Sequence, residues 1–117
     1  MSTQPIPDLA VGDRATLGWG SKADATRWWT VRAGDERFTI LTRQRDFHAK
    51  GKLIYTIIDR ERDVRGPCNL IGQGYDVEEE GGCDRLLADL RSGAVEVSYR
   101  NNVRIKIVDI ERIGALR

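Results

Sequence analysis

The chain has 117 residues, a mass of 13.2 kDa, 40% hydrophobic and 32% charged residues, and a formal net charge of +1. That length fits one ordinary domain able to bury a core without disulfide or metal staples, and the composition is globular, neither disordered nor membrane-embedded. The near-neutral charge supplies no global field for nucleic acid or anionic lipid, so any such attraction has to be local.

In chain order, residues 1–10 carry prolines and few core candidates and predict a flexible N-terminal arm. Residues 11–117 read as a single β-barrel-like domain. The first strand falls in VGDRATLG, beside a turn-forming Gly-Asp pair, and WGSKADAT reads as a polar loop. RWWTVRA and RFTILTRQ, separated by a turn at Gly34-Asp35, predict a hairpin over residues 27–44. After the loop RDFHAKGK, LIYTIIDRER is apolar at both parities up to Ile58, which predicts a central strand covered on both faces.

The stretch from Arg62 to Cys83 reads as a long crossover, with Arg65-Gly66-Pro67 ending the preceding strand and Leu70, Ile71 and Tyr75 pinning it to the core. CDRLLADLRSG puts Leu86, Leu87 and Leu90 on one side of a short helix, with Asp84 near its start and Gly93 beyond its end. In the last segment Val95, Val97 and Tyr99 alternate, as do Val103, Ile105 and Ile107, and Arg-Asn-Asn between them predicts a closing hairpin. The sum is a mainly β fold with one short α-helix. The expected form is a small antiparallel, SH3-like or related barrel of about six strands, with the helix between strands 4 and 5.

Chemistry finds little purchase. Gly72-Gln73-Gly74 resembles the start of a dinucleotide fingerprint, but Val77 stands where a third glycine belongs and the acidic run from Asp76 to Asp84 would repel a phosphate. Cys68, Cys83 and the single His48 do not make a zinc site, which wants four ligands with a close pair. The acidic run lacks the alternation of a calcium loop. No Ser or Cys stands in a recognised nucleophile context, so no catalytic, cofactor-binding or metal-binding residue is assigned and a non-enzymatic chain is expected. Packing as unpaired thiols is the expected state of both cysteines, with a disulfide between the crossover and the helix as the alternative.

The stretch RGPCNLIGQGYD, within a small arginine-rich chain, resembles small proteins of unassigned activity encoded by phages of actinobacteria. That resemblance implies a host-cell cytoplasmic address and a host-modulating role, and it carries over no catalytic residue. The N-terminus MSTQPIPDLAVGD lacks the basic start and apolar centre of a secretory signal, which also predicts a cytoplasmic protein without a membrane partner.

Two binding functions follow. The first is a protein-interaction module, engaging a host protein or a second copy of itself. Its candidate contacts are Trp19, Trp28, Trp29 and Tyr75, because Trp and Arg are favoured interface anchors and alternation buries only one of the adjacent pair Trp28 and Trp29 on a given face. The alternative is a nucleic-acid-binding barrel. Basic residues outnumber acidic ones between Arg27 and Arg65, and Arg43, Arg45, His48, Lys50 and Lys52 surround Phe47, with Arg104 and Lys106 as a second basic edge. Cations there would neutralise phosphates while the ring offers a stacking face.

Overall fold

The computed structural model describes residues 7–19, 22–44, 53–61, 68–71, 80–99 and 105–113, and at residues 19, 22–27, 44, 53, 68–71, 98–99 and 105–106 the backbone alone. The fold is mainly β with one short helix. Its elements are β1 (Arg14–Trp19), β2 (Lys22–Gly34), β3 (Phe38–Gln44), β4 (Leu53–Asp59), β5 (Cys68–Ile71), α1 (Gly82–Ser92), β6 (Glu96–Tyr99) and β7 (Ile105–Glu111). Five strands form an antiparallel sheet in the order β4-β3-β2-β1-β7, and β5 pairs with β6 in a small second sheet.

The hairpin turn at Gly34-Asp35 is present. The Asp35 carboxylate accepts the backbone N–H of Arg37 (2.8 Å) and Phe38 (2.7 Å), which closes the loop between β2 and β3. Other expectations change. The polar stretch expected as a loop supplies the first residues of β2, because Leu17 and Trp19 pair with Asp24 and Lys22 through backbone groups that need no apolar side chain. The expected crossover contains β5, so the helix lies between the fifth and sixth strands. The expected closing hairpin is split: β6 pairs with β5, while β7 pairs with β1 in the other sheet.

Two apolar clusters lie on the two faces of the five-stranded sheet. On one face Ala33, Phe38, Ile40 and Ile57 pack against Cys83, Leu86 and Leu90 of α1 and against Val95 and Val97. On the other Ala15, Leu17, Trp29, Val31, Leu41 and Ile58 gather, with half-buried Leu9, Ile54 and Ile107 at their margin. Neighbours in sequence therefore serve opposite layers, Ile40 against Leu41 and Ile57 against Ile58, as strand alternation requires. β4 is covered on both faces as expected, yet among the described residues it lies at the edge of the sheet and not in its middle.

The end of the sheet is closed by residues 7–13. Arg60, which follows β4, donates to the Pro7 carbonyl (3.2 Å), and Arg112, which follows β7, donates to the Asp8 carbonyl. The residues that follow the two edge strands thus bond to adjacent carbonyls of one strap, and no β4–β7 pairing occurs among the described residues. Leu9 packs into the cluster below, and buried Asp13 accepts the Ala10 N–H (2.9 Å). The expected flexible arm is therefore anchored from Pro7 onward, and residues 1–6 lie outside the described residues.

Helix α1 ends at Gly93, whose φ of 81° lets its N–H reach the Leu90 carbonyl (3.3 Å) and the Ala94 N–H reach that of Asp89 (2.9 Å). A Cβ built at position 93 meets nothing within 4 Å, so the cost of adding one is conformational alone. Gly93→Ala is expected to lose about 1–2 kcal/mol, read as a lower denaturant midpoint at unchanged slope. Gly93→Asn should lose less, since Asn tolerates the left-handed region.

Candidate functional site

Strand alternation assigns the adjacent tryptophans to opposite faces of β2. Trp29 is 5% exposed and belongs to the cluster with Leu41 and Ile58. Trp28 is half-buried on the other face and belongs to neither apolar cluster. Each indole carries an arginine: the guanidinium carbon of Arg14 lies 5.0 Å from the Trp28 ring centroid, and that of Arg43 lies 5.0 Å from the Trp29 centroid. The two arrangements differ in burial and therefore in what they can do.

Around Trp28 the ladder builds an outward-facing patch. Thr16 pairs with Trp28 on one side and with Asp109 on the other, while Arg14 pairs with Thr30 and Glu111. An Arg14 Nη1 atom is 3.5 Å from Glu111 Oε2, with the two side chains 39% and 48% exposed. An ion pair this open contributes about 0–1 kcal/mol, and an exposed cation–π contact about 0.5–1 kcal/mol. Arg14 is thus held lightly over the indole and is free to turn toward an arriving group. Asp109 and Val108 extend the patch along β7, both exposed.

Opposite Trp28 in the ladder the Thr16 side chain is fully buried, and its hydroxyl has no hydrogen-bond partner among the described residues. It sits where the register of β1 slips against both neighbours, between Thr16 and Leu17. The slip sets β2 and β7, the strands on either side of Thr16, out of step with β1, and it had no signature in the apolar pattern.

Arg43 is half-buried. It shares the inner face of the sheet with Leu41 and Trp29, so its cation lies over a buried ring. Trp29, expected as a candidate contact, is core. Trp19 closes β1 opposite Lys22 and Ile105, with only its backbone described, as is the case for Lys106 opposite Gly18. Tyr75, Arg45, Phe47, His48, Lys50, Lys52 and Arg104 lie outside the described residues.

Cys83 is a free thiol, buried against the sheet at the start of α1, and burial pushes its pKa above the usual thiol range. That suppresses the thiolate and with it nucleophilic reactivity. The polar cluster at the other edge is structural: buried Asp59 accepts both Arg37 Nε (3.0 Å) and Nη2 (3.1 Å), and also the Glu61 N–H (3.1 Å). These bonds raise the pKa of the Arg37 guanidinium and tie β4 to the β2–β3 turn. Arg91 of α1 reaches the Asp35 carboxylate of the same turn at 3.4 Å.

No helix among the described residues is long and apolar enough to cross a membrane. Comparison with protein-family models, curated proteins and solved structures returns no match to this chain.

Proposed function

We propose that this chain is a small non-enzymatic binding domain whose partner is a protein, engaged through the outer face centred on Trp28 and Arg14. The observation that carries the reading is the half-buried Trp28, a large ring outside both apolar clusters and capped by a partly exposed guanidinium. Trp and Arg side by side supply the anchoring pair that interfaces favour, with a flat apolar surface and a fork of donors. The acidic Asp109 and Glu111 beside them suit a partner that brings a cation to the rim.

The fuller reading is a barrel of SH3-like kind, phage-encoded, acting on a host protein in the host cytoplasm. The return of the last strand beside the first and the strap shared by both edges support the barrel. The phage origin rests on the resemblance of RGPCNLIGQGYD alone.

Nucleic acid remains the alternative, and one topological fact favours it. β1 and β3 run in the same direction, so Trp19, Gln44 at the end of β3 and the beginning of β7 all come to one end of the sheet. Against it, Arg43 is drawn away to the inner face.

The test compares partners retained by the immobilised chain and by its Trp28→Ala variant in an extract of the host, washed at high salt. Trp28→Ala should weaken binding by roughly 2 kcal/mol or about thirty-fold, while the variant keeps its fold. A folded variant that retains every protein the parent retains sinks the proposal. Tryptophan fluorescence on titration with mixed single- and double-stranded nucleic acid separates the two readings. A saturable change, steeply weakened by salt and lost on neutralising Arg45, Lys50 and Lys52, would transfer the function to the basic loop.

A further inference from the structure

β7 is a seven-residue edge of the main sheet, and its outer side has no strand partner among the described residues. The two edges of the sheet are unlike each other. In β4 the residues from Thr56 to Asp59 are buried, whereas in β7 Val108, Asp109 and Glu111 are exposed and Ile107 and Ile110 half-buried. Among the described residues, β7 is the more exposed of the two edges of the main sheet.

The direction of its backbone groups follows from the ladder. The Asp13 carbonyl accepts the Val31 N–H (2.9 Å), so odd residues of β1 face β2 and even residues face β7. Arg14 therefore bonds across to Glu111, which leaves Ile110 facing outward. Its N–H confirms this by donating to the carboxylate of its own neighbour, Asp109 Oδ1, at 2.9 Å. Leu17 pairs with Ile107, so Ile107 faces outward as well. Between them the register skips Val108, the extra residue of a bulge.

A bulge and a carboxylate on an edge normally ward off foreign strands, because a regular strand offers one residue where the bulge presents two. One strand has the matching irregularity: β7 itself. We propose that two copies of this chain associate through antiparallel pairing of their β7 strands, with Ile107 of each copy opposite Ile110 of the other. Both positions face outward, as a hydrogen-bonded pair must, and two residues lie between them on each strand, so the bulges match two against two. The same register sets position 106, a lysine, opposite position 111, a glutamate, and the two-fold axis repeats that pairing. The Ile110 N–H exchanges the Asp109 carboxylate for the Ile107 carbonyl of the second copy. The result is one continuous ten-stranded sheet, with a Trp28 patch on each side of the seam. The pairing uses the strand edge and not the Trp28 ring; it shares Glu111 with the rim of the binding face, but the dimer is read by mass and the binding face by partner retention, so each can fail without the other.

Sedimentation of the full chain over a range of concentrations tests it. The mass should rise from 13.2 kDa toward twice that value. Ile110→Pro removes an N–H that points away from the β1 ladder and should hold a folded monomer, shifting the dimer constant at least ten-fold. Lys106→Glu should likewise give monomer, and the double exchange Lys106→Glu with Glu111→Lys should restore the dimer. If Ile110→Pro does not fold, the charge exchange decides. A parent chain that stays monomeric up to about 1 mM, a folded Ile110→Pro that still dimerises, or a double exchange that fails to restore association overturns the proposal.

Discussion

Trp29→Ala is expected to cost about 3–5 kcal/mol of folding stability, against a total of about 5–15 kcal/mol for a domain of ordinary stability. The indole is 5% exposed and central to the cluster that includes Leu17, Val31, Leu41 and Ile58. Truncation leaves a cavity between strands that cannot collapse without bending the sheet, and it also strips the ring from beneath the Arg43 guanidinium. A half-buried cation then loses the apolar face on which its stem lies, so the loss exceeds that of packing alone. In thermal unfolding the variant should melt roughly 10–20 °C below the parent. Trp29→Phe, which keeps a ring face for the cation, should recover more than half of the difference. A loss below about 1 kcal/mol, the range of a surface substitution, would show that the indole is not a core residue. The neighbouring Trp28→Ala is the internal control. It should leave the melting temperature nearly unchanged while weakening the partner, so one residue step along β2 separates folding from binding.

That separation was half legible in the sequence. Alternation dictates that Trp28 and Trp29 take opposite faces, but it does not say which face is core, because the flanking residues Arg27, Thr30 and Val31 fit either assignment. The strap decides it: Leu9 packs on the Trp29 side and closes that face. β4 shows a related ambiguity. A run apolar at both parities reports layers above and below a strand, here α1 on one face and the strap-closed cluster on the other. It says nothing about neighbours in the plane of the sheet, which is why a strand expected in the middle lies at an edge.

The last segment shows where local pattern fails. Val95 and Val97 alternate correctly and are buried, and Ile107 packs inward, yet the two strands go to different partners. Nothing local to residues 94–113 distinguishes a hairpin from two strands that part company. The deciding element is β5, a four-residue strand inside a glycine-rich stretch whose pattern is too short to register as one. The helix was the easier inference, since Leu86, Leu87, Leu90 and Gly93 occupy the positions that helical geometry assigns to a buried stripe and its terminator. The candidate basic patch rested on composition; parity sets Arg43 on the inner face over Trp29, and the 45–52 members of the patch lie outside the described residues.

Leu86→Ala should be the second costly substitution, at about 2–5 kcal/mol. Leu86 is fully buried and sits with Cys83 and Leu90 on the side of α1 that faces Ala33, Phe38, Ile40 and Ile57. An eleven-residue helix is marginal by itself, so its stability comes from that apolar contact. The exposed Arg91–Asp35 pair, at 3.4 Å, is too solvated to compensate. The effect should also be local in space. Val95 and Val97 share the cluster with Leu86, so α1 and the β5–β6 sheet should lose amide protection together. β1 and the opposite cluster around Leu17 and Leu41 should keep theirs until global unfolding. Ala88→Gly on the exposed side of the helix calibrates backbone propensity, at about 1 kcal/mol. If hydrogen exchange instead rises uniformly through all strands, the two faces of the sheet fold as one cooperative unit and the helix layer is not separable. If it rises only over α1, β5 and β6, the Trp28 patch keeps its geometry in a protein whose helix layer has loosened. Partner binding should then persist in Leu86→Ala and fail in Trp28→Ala, which assigns the function to the β1–β2–β7 part of that sheet face and to the helix the support of its β2–β3–β4 part.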